Sequence, residues 1–354
     1  MQILVVQTAF LGDVVLATPV VEKLHRFFPD ADIDFLLRKG NEALLKNHPI
    51  IRKTIIWDKK EGKWKNVFKL IKQFRAIKYD YVINLQRFAT SGIITAFSGG
   101  KITVGFDKNP LSFLFTKKIK HHIAKVGEPI IHEVERNLLC INWFTDDSKQ
   151  LPKLYPSEED FEKVKSELAI VNSQLSIVNG QPNNSPFTIH HSPLPYITIS
   201  PASVWFTKQY LAEKWVELIK AFNDKYQIYL LGAPADKNMC DAIITQSCVK
   251  NIGNCCGQFS LLQSAALMQN AEMNYVNDSA PLHLASAMDA PVTVIFCSTV
   301  PRFGFGPSGT KGHVVETELP LACKPCGLHG RKTCPEGHFK CALTVKAAQL
   351  TEKI

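Results

Sequence analysis

Short apolar runs rich in β-branched residues, each followed by a longer stretch with helical spacing, recur along most of the chain. Ile3-Leu4-Val5-Val6 is the first, an unbroken run that reads as a strand buried on both faces. Thr8-Ala9-Phe10-Leu11-Gly12 breaks the pattern, and Asp13 opens a segment with apolar residues at Val14, Leu16, Val20, Val21, Leu24 and Phe27. That spacing is helical, and it stops at Pro29-Asp30. Ile33 to Leu37 predicts a second strand and Ile55-Ile56-Trp57 a third. Trp64 to Ile77 predicts a basic amphipathic helix with Val67, Leu70, Ile71 and Phe74 on one face. Further strands are expected over 79–85 and 102–106, and a helix over 132–144 closes this half. Strands alternating with helices indicate a parallel sheet with right-handed crossovers.

The alternation restarts at Tyr196-Ile197-Thr198-Ile199. Strands are expected again over 228–231, 273–276 and 292–296, with helices over 211–222, 261–270 and 280–288. Between the halves, Ser157 to Leu168 has a good helix start, with a serine followed by acidic residues. IVNSQLS (170–176) is then followed by IVNGQPN (177–183), an imperfect tandem copy, and Pro, Asn, Ser and His dominate up to Pro195. The reading is two α/β domains, 1–150 and 196–342, with 151–195 as a linker or insertion and 343–354 as a terminal helix. Such a pair of sheets is expected to hold a ligand cleft between the carboxyl ends of its strands.

The charge is uneven. Residues 1–150 hold 24 Lys and Arg against 15 Asp and Glu, whereas residues 151–354 hold 17 of each. The whole net charge of +9 therefore belongs to the first half, which suits an anionic partner such as a polyanionic acceptor, acidic lipid or nucleic acid. No apolar run is long enough to span a bilayer, and the apolar N-terminus lacks the basic residues of a signal peptide. Ten cysteines without such a signal point to a reducing compartment, with thiols or metal ligands ahead of disulfides.

Four stretches carry chemistry. Asp13 sits at a strand-to-helix turn, where it reads either as an N-cap or as a general base beside a cleft. Ser200-Pro201-Ala202-Ser203 follows a strand and leads to Lys208, a hydroxyl and a cation suited to an oxyanion. Asn277-Asp278-Ser279 follows another strand and leads to His283 in the next helix. Here Asp278 can accept from sugar hydroxyls and Ser279 can hold phosphate oxygens, against the alternative of helix capping and a packed histidine. Cys323, Cys326, Cys334 and Cys341 are spaced as a structural zinc site would need, with buried or redox-active thiols as the competing reading.

Leu11-Gly12-Asp13, YDYVINLQ (79–86), HEVER (132–136), SPAS with Lys208, GAPAD (232–236), GQFSL (257–261) and NDSAPLHLA (277–285) together resemble glycosyltransferase family 9, the lipopolysaccharide heptosyltransferases. The resemblance runs over almost the whole chain in the right order. It implies a GT-B fold, two Rossmann-like domains facing each other across a cleft, the first binding acceptor and the second nucleotide-sugar. It further implies inverting transfer of heptose from ADP-heptose to the lipopolysaccharide inner core. By the same resemblance Asp13 is the catalytic base, Ser203 and Lys208 hold the diphosphate, and Asp236 takes the ribose hydroxyls. Phe259 packs the adenine, and Asp278, Ser279 and His283 face the sugar and phosphates.

Three positions depart from the family pattern: Gln7 stands where a cation is usual, Val204 lacks a hydroxyl, and Ala280 replaces a common glycine. An inverting transfer needs one base, and a diphosphate leaving group needs positive charge more than a second acid. No metal cofactor is therefore expected for the reaction. The expected partners are a nucleotide-sugar and an anionic lipid-linked saccharide, with peripheral contact to the cytoplasmic face of the inner membrane and no nucleic acid. The terminal helix expected over 343–354, by resemblance, crosses back towards the first domain. Rival readings are a GT-B enzyme using another nucleotide-sugar, and a basic nucleic-acid-binding protein with a zinc ribbon at Cys323–Cys341.

Overall fold

A computed structural model describes residues 1–178, 194–222 and 224–354, and the chain divides into two units, Met1–Tyr155 and Pro156–Ile354. The first unit runs β1 (Gln2–Val6), α1 (Leu11–Val15), α2 (Thr18–Phe27), β2 (Asp32–Arg38) and β3 (Ile51–Trp57). It continues through α3 (Lys63–Ile77), β4 (Tyr81–Asn84), α4 (Ala89–Phe97), β5 (Ile102–Phe106), β6 (Lys117–Ile119) and α5 (Glu133–Asn142). Its sheet is six-stranded in the order β3-β2-β1-β4-β5-β6, and all its pairings are parallel. Ile3, Leu4, Val5 and Val6 are fully buried, as the unbroken apolar run required.

The helix expected from Asp13 to Phe27 is two helices. Pro19 has no N–H to donate, so it sits in the first turn of α2 and ends any continuous ladder from α1. Thr18 Oγ1 donates to Val15 O at 2.8 Å across the break. Val20, Val21 and Leu24 then face the core, with His25 and Arg26 in the last turn where cations complement the helix dipole. Lys23 is wholly buried, but its ammonium donates to Asn142 Oδ1 at 2.9 Å, to Ser148 O at 3.0 Å and to Asp146. A buried cation is tolerable only with such a set of partners, and these tie α2 to the end of α5.

The second unit runs α6 (Glu158–Val178), β7 (Tyr196–Ser200), α7 (Ala212–Ala221), β8 (Gln227–Leu230), α8 (Lys237–Ser247) and β9 (Ile252–Asn254). It continues through α9 (Leu261–Gln269), β10 (Met273–Asn277), α10 (Ala280–Ala287), β11 (Val292–Phe296), β12 (Gly312–Glu316), α11 (Lys340–Leu343) and α12 (Ala347–Thr351). Its sheet is also six-stranded and parallel, in the order β12-β11-β10-β7-β8-β9. Each unit is thus a doubly wound, Rossmann-like sheet.

Two expectations need correction. The segment 151–195 is not only linker, because α6 extends to Val178 and packs on α9 and β9. Val164 and Val171 are buried there, and Gly253 leaves the space that Val171 fills, since a Cβ on it would lie 2.5 Å from Val171 Cγ1. The first tandem copy, 170–176, ends this helix, and the second runs into residues 179–193, which lie outside the described residues. The terminal helix is shorter than 343–354 and packs on α7 within the second unit, where Leu350 is buried and its carbonyl accepts from Tyr275 Oη at 3.3 Å.

Candidate active site

In the first unit the strand order reverses between β1 and β4, and loops leaving such a reversal are where open α/β sheets bind ligands. The two exits are tied together: Thr8 Oγ1 donates to Gln86 Oε1 at 2.6 Å. Lys59 Nζ donates to Thr8 O at 2.6 Å and Asn41 Nδ2 to Ala9 O at 3.1 Å, so the turn after β1 is held from β2 and β3 as well. Gln7 is buried and its Oε1 accepts from Ala9 N at 3.3 Å, serving its own turn where the family usually offers a cation.

That turn delivers Asp13, though not as an N-cap. Phe10 occupies the cap, and Asp13 is the third residue of α1, where its Oδ2 accepts the Phe10 amide at 3.1 Å. Asp13 is half-buried, and burial, followed by the nearby Glu133 carboxylate, pushes its pKa up to about 6 against the pull of the Phe10 amide and Arg87. Arg87 comes from the exit of β4, the other side of the reversal.

Glu133 opens α5 and is buried against Arg136, whose Nε and Nη2 donate to Glu133 Oε2 at 2.7 and 2.6 Å. Burial pushes the Glu133 carboxyl up as well. His132 caps the same helix by accepting Val134 N on Nδ1 at 3.2 Å, while Glu135 accepts His132 N at 3.0 Å. Asn137 Nδ2 donates to Leu16 O at 3.1 Å, fixing α5 to the junction of α1 and α2. His121 is buried edge-on to Phe106, and burial and then Arg87 and Arg136 push its pKa down to about 4, which leaves it neutral at neutral pH. Sequence reasoning used HEVER only as a signature. Its Glu-x-x-Arg spacing on a first helical turn was the available sign of the Glu133–Arg136 pair. Arg87 and His121 had no such sign.

The second unit reverses between β7 and β10. Lys208, from the loop after β7, meets Asp278, from the loop after β10, at 2.7 Å between Nζ and Oδ2. Both side chains are largely buried, and Thr299 Oγ1 donates to the same oxygen at 2.5 Å. Asn277 joins the two loops: its Oδ1 accepts Tyr210 N at 2.9 Å and its Nδ2 donates to Pro201 O at 2.7 Å. Ser203 is half-buried on the first loop, its carbonyl accepting Gln209 Nε2 at 2.6 Å. Ser279 occupies the N-cap position of α10 without a side-chain capping bond, and His283 is buried one turn further on.

Asp236 and Phe259 lie on the adjacent exits, after β8 and β9. Gly257 joins these loops, donating its N–H to Gly232 O at 3.0 Å. Its φ of +76° and the 2.9 Å that would separate an added Cβ from Pro234 both require glycine. Asp236 Oδ2 accepts Ala233 N at 2.8 Å, and Phe259 is half-buried. The structure thus pairs Lys208 with Asp278 directly and sets Ser203, Ser279, His283, Asp236 and Phe259 on loops or helix starts along the same edge.

The cysteine-rich stretch braces this edge. Thr207 N donates to Arg331 O at 3.1 Å, Arg331 N to Thr207 Oγ1 at 2.7 Å, and Cys326 N to Ser298 O at 2.8 Å. Among the described residues no three His, Cys, Asp or Glu side chains are grouped so that they could hold a metal ion. Cys341 is buried in the apolar core with Cys334 packed against it, and Cys323 Sγ lies 3.9 Å from His338 Nε2. Among the described residues no helix is long and apolar enough to cross a membrane.

The family model of glycosyltransferase family 9 (heptosyltransferase) matches residues 67–338, which leaves Asp13 upstream of the match. Lipopolysaccharide heptosyltransferase 3 of Escherichia coli strain K12 is 28% identical over 301 residues, 81% of this chain and 80% of that protein. Among solved structures, a family 9 glycosyl transferase from Veillonella parvula DSM 2008 superposes with a TM-score of 0.76 at 22% identity, covering 99% of this chain and 95% of that one. The E. coli ADP-heptose lps heptosyltransferase II does so with a TM-score of 0.72 at 20% identity, covering 100% and 97%. These likenesses carry the fold class expected from the sequence, GT-B.

Proposed function

The chain belongs to glycosyltransferase family 9, the heptosyltransferase family, and from that premise we propose that it transfers heptose from ADP-heptose to an inner-core sugar of lipopolysaccharide with inversion of the anomeric centre. The observation that carries the reading is Asp13: a half-buried carboxyl on the loop edge of the first sheet, with a pKa raised to about 6. A base at that value is ionised at neutral pH yet strong enough to take a hydroxyl proton as the bond forms. In the reaction proposed, Asp13 takes the proton of the acceptor hydroxyl as its oxygen bonds the anomeric carbon. The carbon–oxygen bond to the diphosphate breaks on the opposite face, and ADP leaves with the electron pair.

The second unit supplies the donor half in this reading. Lys208 neutralises the leaving diphosphate, with Ser203 and the N-terminus of α10 beside it. Because Lys208 already pairs with Asp278 at 2.7 Å, a bound diphosphate shares that ammonium with Asp278, which is then free to accept from a sugar hydroxyl. Asp236 takes the ribose hydroxyls, Phe259 packs the adenine, and Ser279 and His283 complete the sugar and phosphate contacts. The reading assigns no metal cofactor. Its donor and acceptor rest on different relatives: a solved relative is named for ADP-heptose, and curated relatives are named for lipopolysaccharide. The acceptor is then lipid-linked and anionic, and the enzyme works peripherally at the cytoplasmic face of the inner membrane. Calorimetric titration with ADP-heptose and with UDP-sugars tests the assignment. Binding of the adenine diphosphate sugar alone is expected, and no affinity for any such donor overturns it.

A further inference from the structure

We propose that the outward face of α3 is a docking surface for an anionic lipid bilayer, built from Phe68 ringed by Lys65, Lys69 and Lys72. The inward face of this helix is accounted for: Val67, Leu70 and Phe74 are buried, with Ile71 and Ile77 packed beside them. At 100° per residue, Phe68 and Lys65, Lys69 and Lys72 fall opposite that stripe, at the i, i+3, i+4 and i+7 positions where side chains share one patch. Phe68 is 68% exposed and Trp64, a turn before it, 53% exposed. Exposed aromatics at this density are not needed for folding, and they are the residues that settle at a membrane–water interface.

The charge points to the same partner. α3 carries Lys63, Lys65, Lys69, Lys72 and Arg75, all exposed, and no carboxylate. The nearest acidic groups, Asp58 and Glu61, line the same open groove of about 800 Å3 at the start of the helix. Asp58 is already occupied by Lys39 at 2.8 Å. A cluster of exposed cations that outnumbers its carboxylates, around a protruding apolar ring, matches a surface that is anionic outside and apolar a few ångströms within. A nucleic acid would answer the cations but would not bury an isolated phenylalanine of this kind in hydrocarbon. The helix also begins where β3 ends, on the edge of the sheet that carries Asp13, so a bilayer held there presents lipid-linked material to that edge. The inference deepens the proposed lipid-linked acceptor, but the surface itself stands on α3 alone.

Vesicle sedimentation of the full chain tests it, with phosphatidylglycerol-containing vesicles compared against pure phosphatidylcholine, and heparin as a soluble polyanion. Binding to the anionic vesicles, weakening as salt rises, is expected. Each lysine is worth about fivefold at such a surface, so the K65E/K69E/K72E variant, which loses three such contacts and adds three repelled carboxylates, should bind more than about a hundredfold more weakly. F68S, which leaves every charge in place, should weaken vesicle binding and leave heparin binding unchanged. Donor titration should be unchanged in both variants, since the substituted side chains lie on an exposed face, and it also reports that they remain folded. Equal binding to neutral vesicles, undiminished binding of the triple variant, or indifference of vesicle binding to F68S overturns the inference. A protein that binds these vesicles but no adenine diphosphate sugar defeats the donor assignment and leaves this surface standing.

Discussion

Asp13→Asn removes a charge that the folded protein holds at a cost, and it should therefore do two opposite things. Raising the carboxyl from 3.8 to about 6 corresponds to about 3 kcal/mol of bias against the anion in the folded state. A folded pKa above the unfolded one means that above about 6 both states are ionised and the folded state carries the full penalty. As pH falls through about 6 the folded carboxyl takes a proton first, and below about 3.8 the penalty is gone. Asparagine is neutral throughout and can still accept the Phe10 amide, so the variant should be more stable than the parent by up to about 3 kcal/mol at about pH 8 and equal to it near about pH 3. Transfer should move the other way, falling a hundredfold or more with donor binding kept, on the order expected for a lost general base. In the parent, kcat/KM should rise tenfold per pH unit below about 6 and level off above it. Denaturant titrations at the two pH values, beside initial rates across the range, measure all of this. Near-normal turnover reduces Asp13 to a helix-end carboxylate, and a stability difference that does not change with pH refutes the electrostatic argument.

Two further outcomes follow from the second unit. Lys208→Ala leaves the buried Asp278 carboxylate with Thr299 as its remaining donor among the contacts described, which should cost about 3 kcal/mol in chemical denaturation and raise the donor KM at least tenfold. Gly257→Ala forces a side chain into a positive-φ turn against Pro234, so it should cost about 1–2 kcal/mol and weaken donor binding through the displaced Phe259 loop, with kcat less affected; unchanged donor affinity would separate that loop from the donor.

Strands buried on both faces were readable because an apolar run of the right length admits few other fates; β5 and β11 begin and end where the residues alone put them. The missed elements lack that signal. β6 is Lys-Lys-Ile at a sheet edge, β9 has three residues, and β12 begins with an exposed glycine and histidine. α4 begins Ala-Thr-Ser-Gly, the last three of them poor helix formers, so its placement depends on packing beside β4 and α3. At the site, the types and rough positions of Asp13, Lys208 and Asp278 were legible, since short polar stretches after apolar runs mark sheet exits. Their partners were not. Asn277 reaching Pro201, and Glu133 placed beside Asp13, join residues 76 and 120 positions apart, and only strand order brings such exits together.

That strand order also explains why two carboxylates in similar places are suited to different tasks. Each sheet reverses beside its first strand, and each reversal sets an acid from one exit near a cation from the other. In the second unit the cation touches the acid: Asp278 Oδ2 is paired with Lys208 at 2.7 Å and accepts from Thr299. In the first unit Arg87 acts on Asp13 only through space, while Glu133, held by Arg136 on a helix bolted to the α1–α2 junction, sets a second negative charge nearby. Burial and that like charge outweigh the arginine, so a proton is stabilised on Asp13. In the proposed reaction, acid–base work therefore falls to the first unit and charge-holding to the second. Exchanging the two tasks would require moving a whole exit loop, not one side chain.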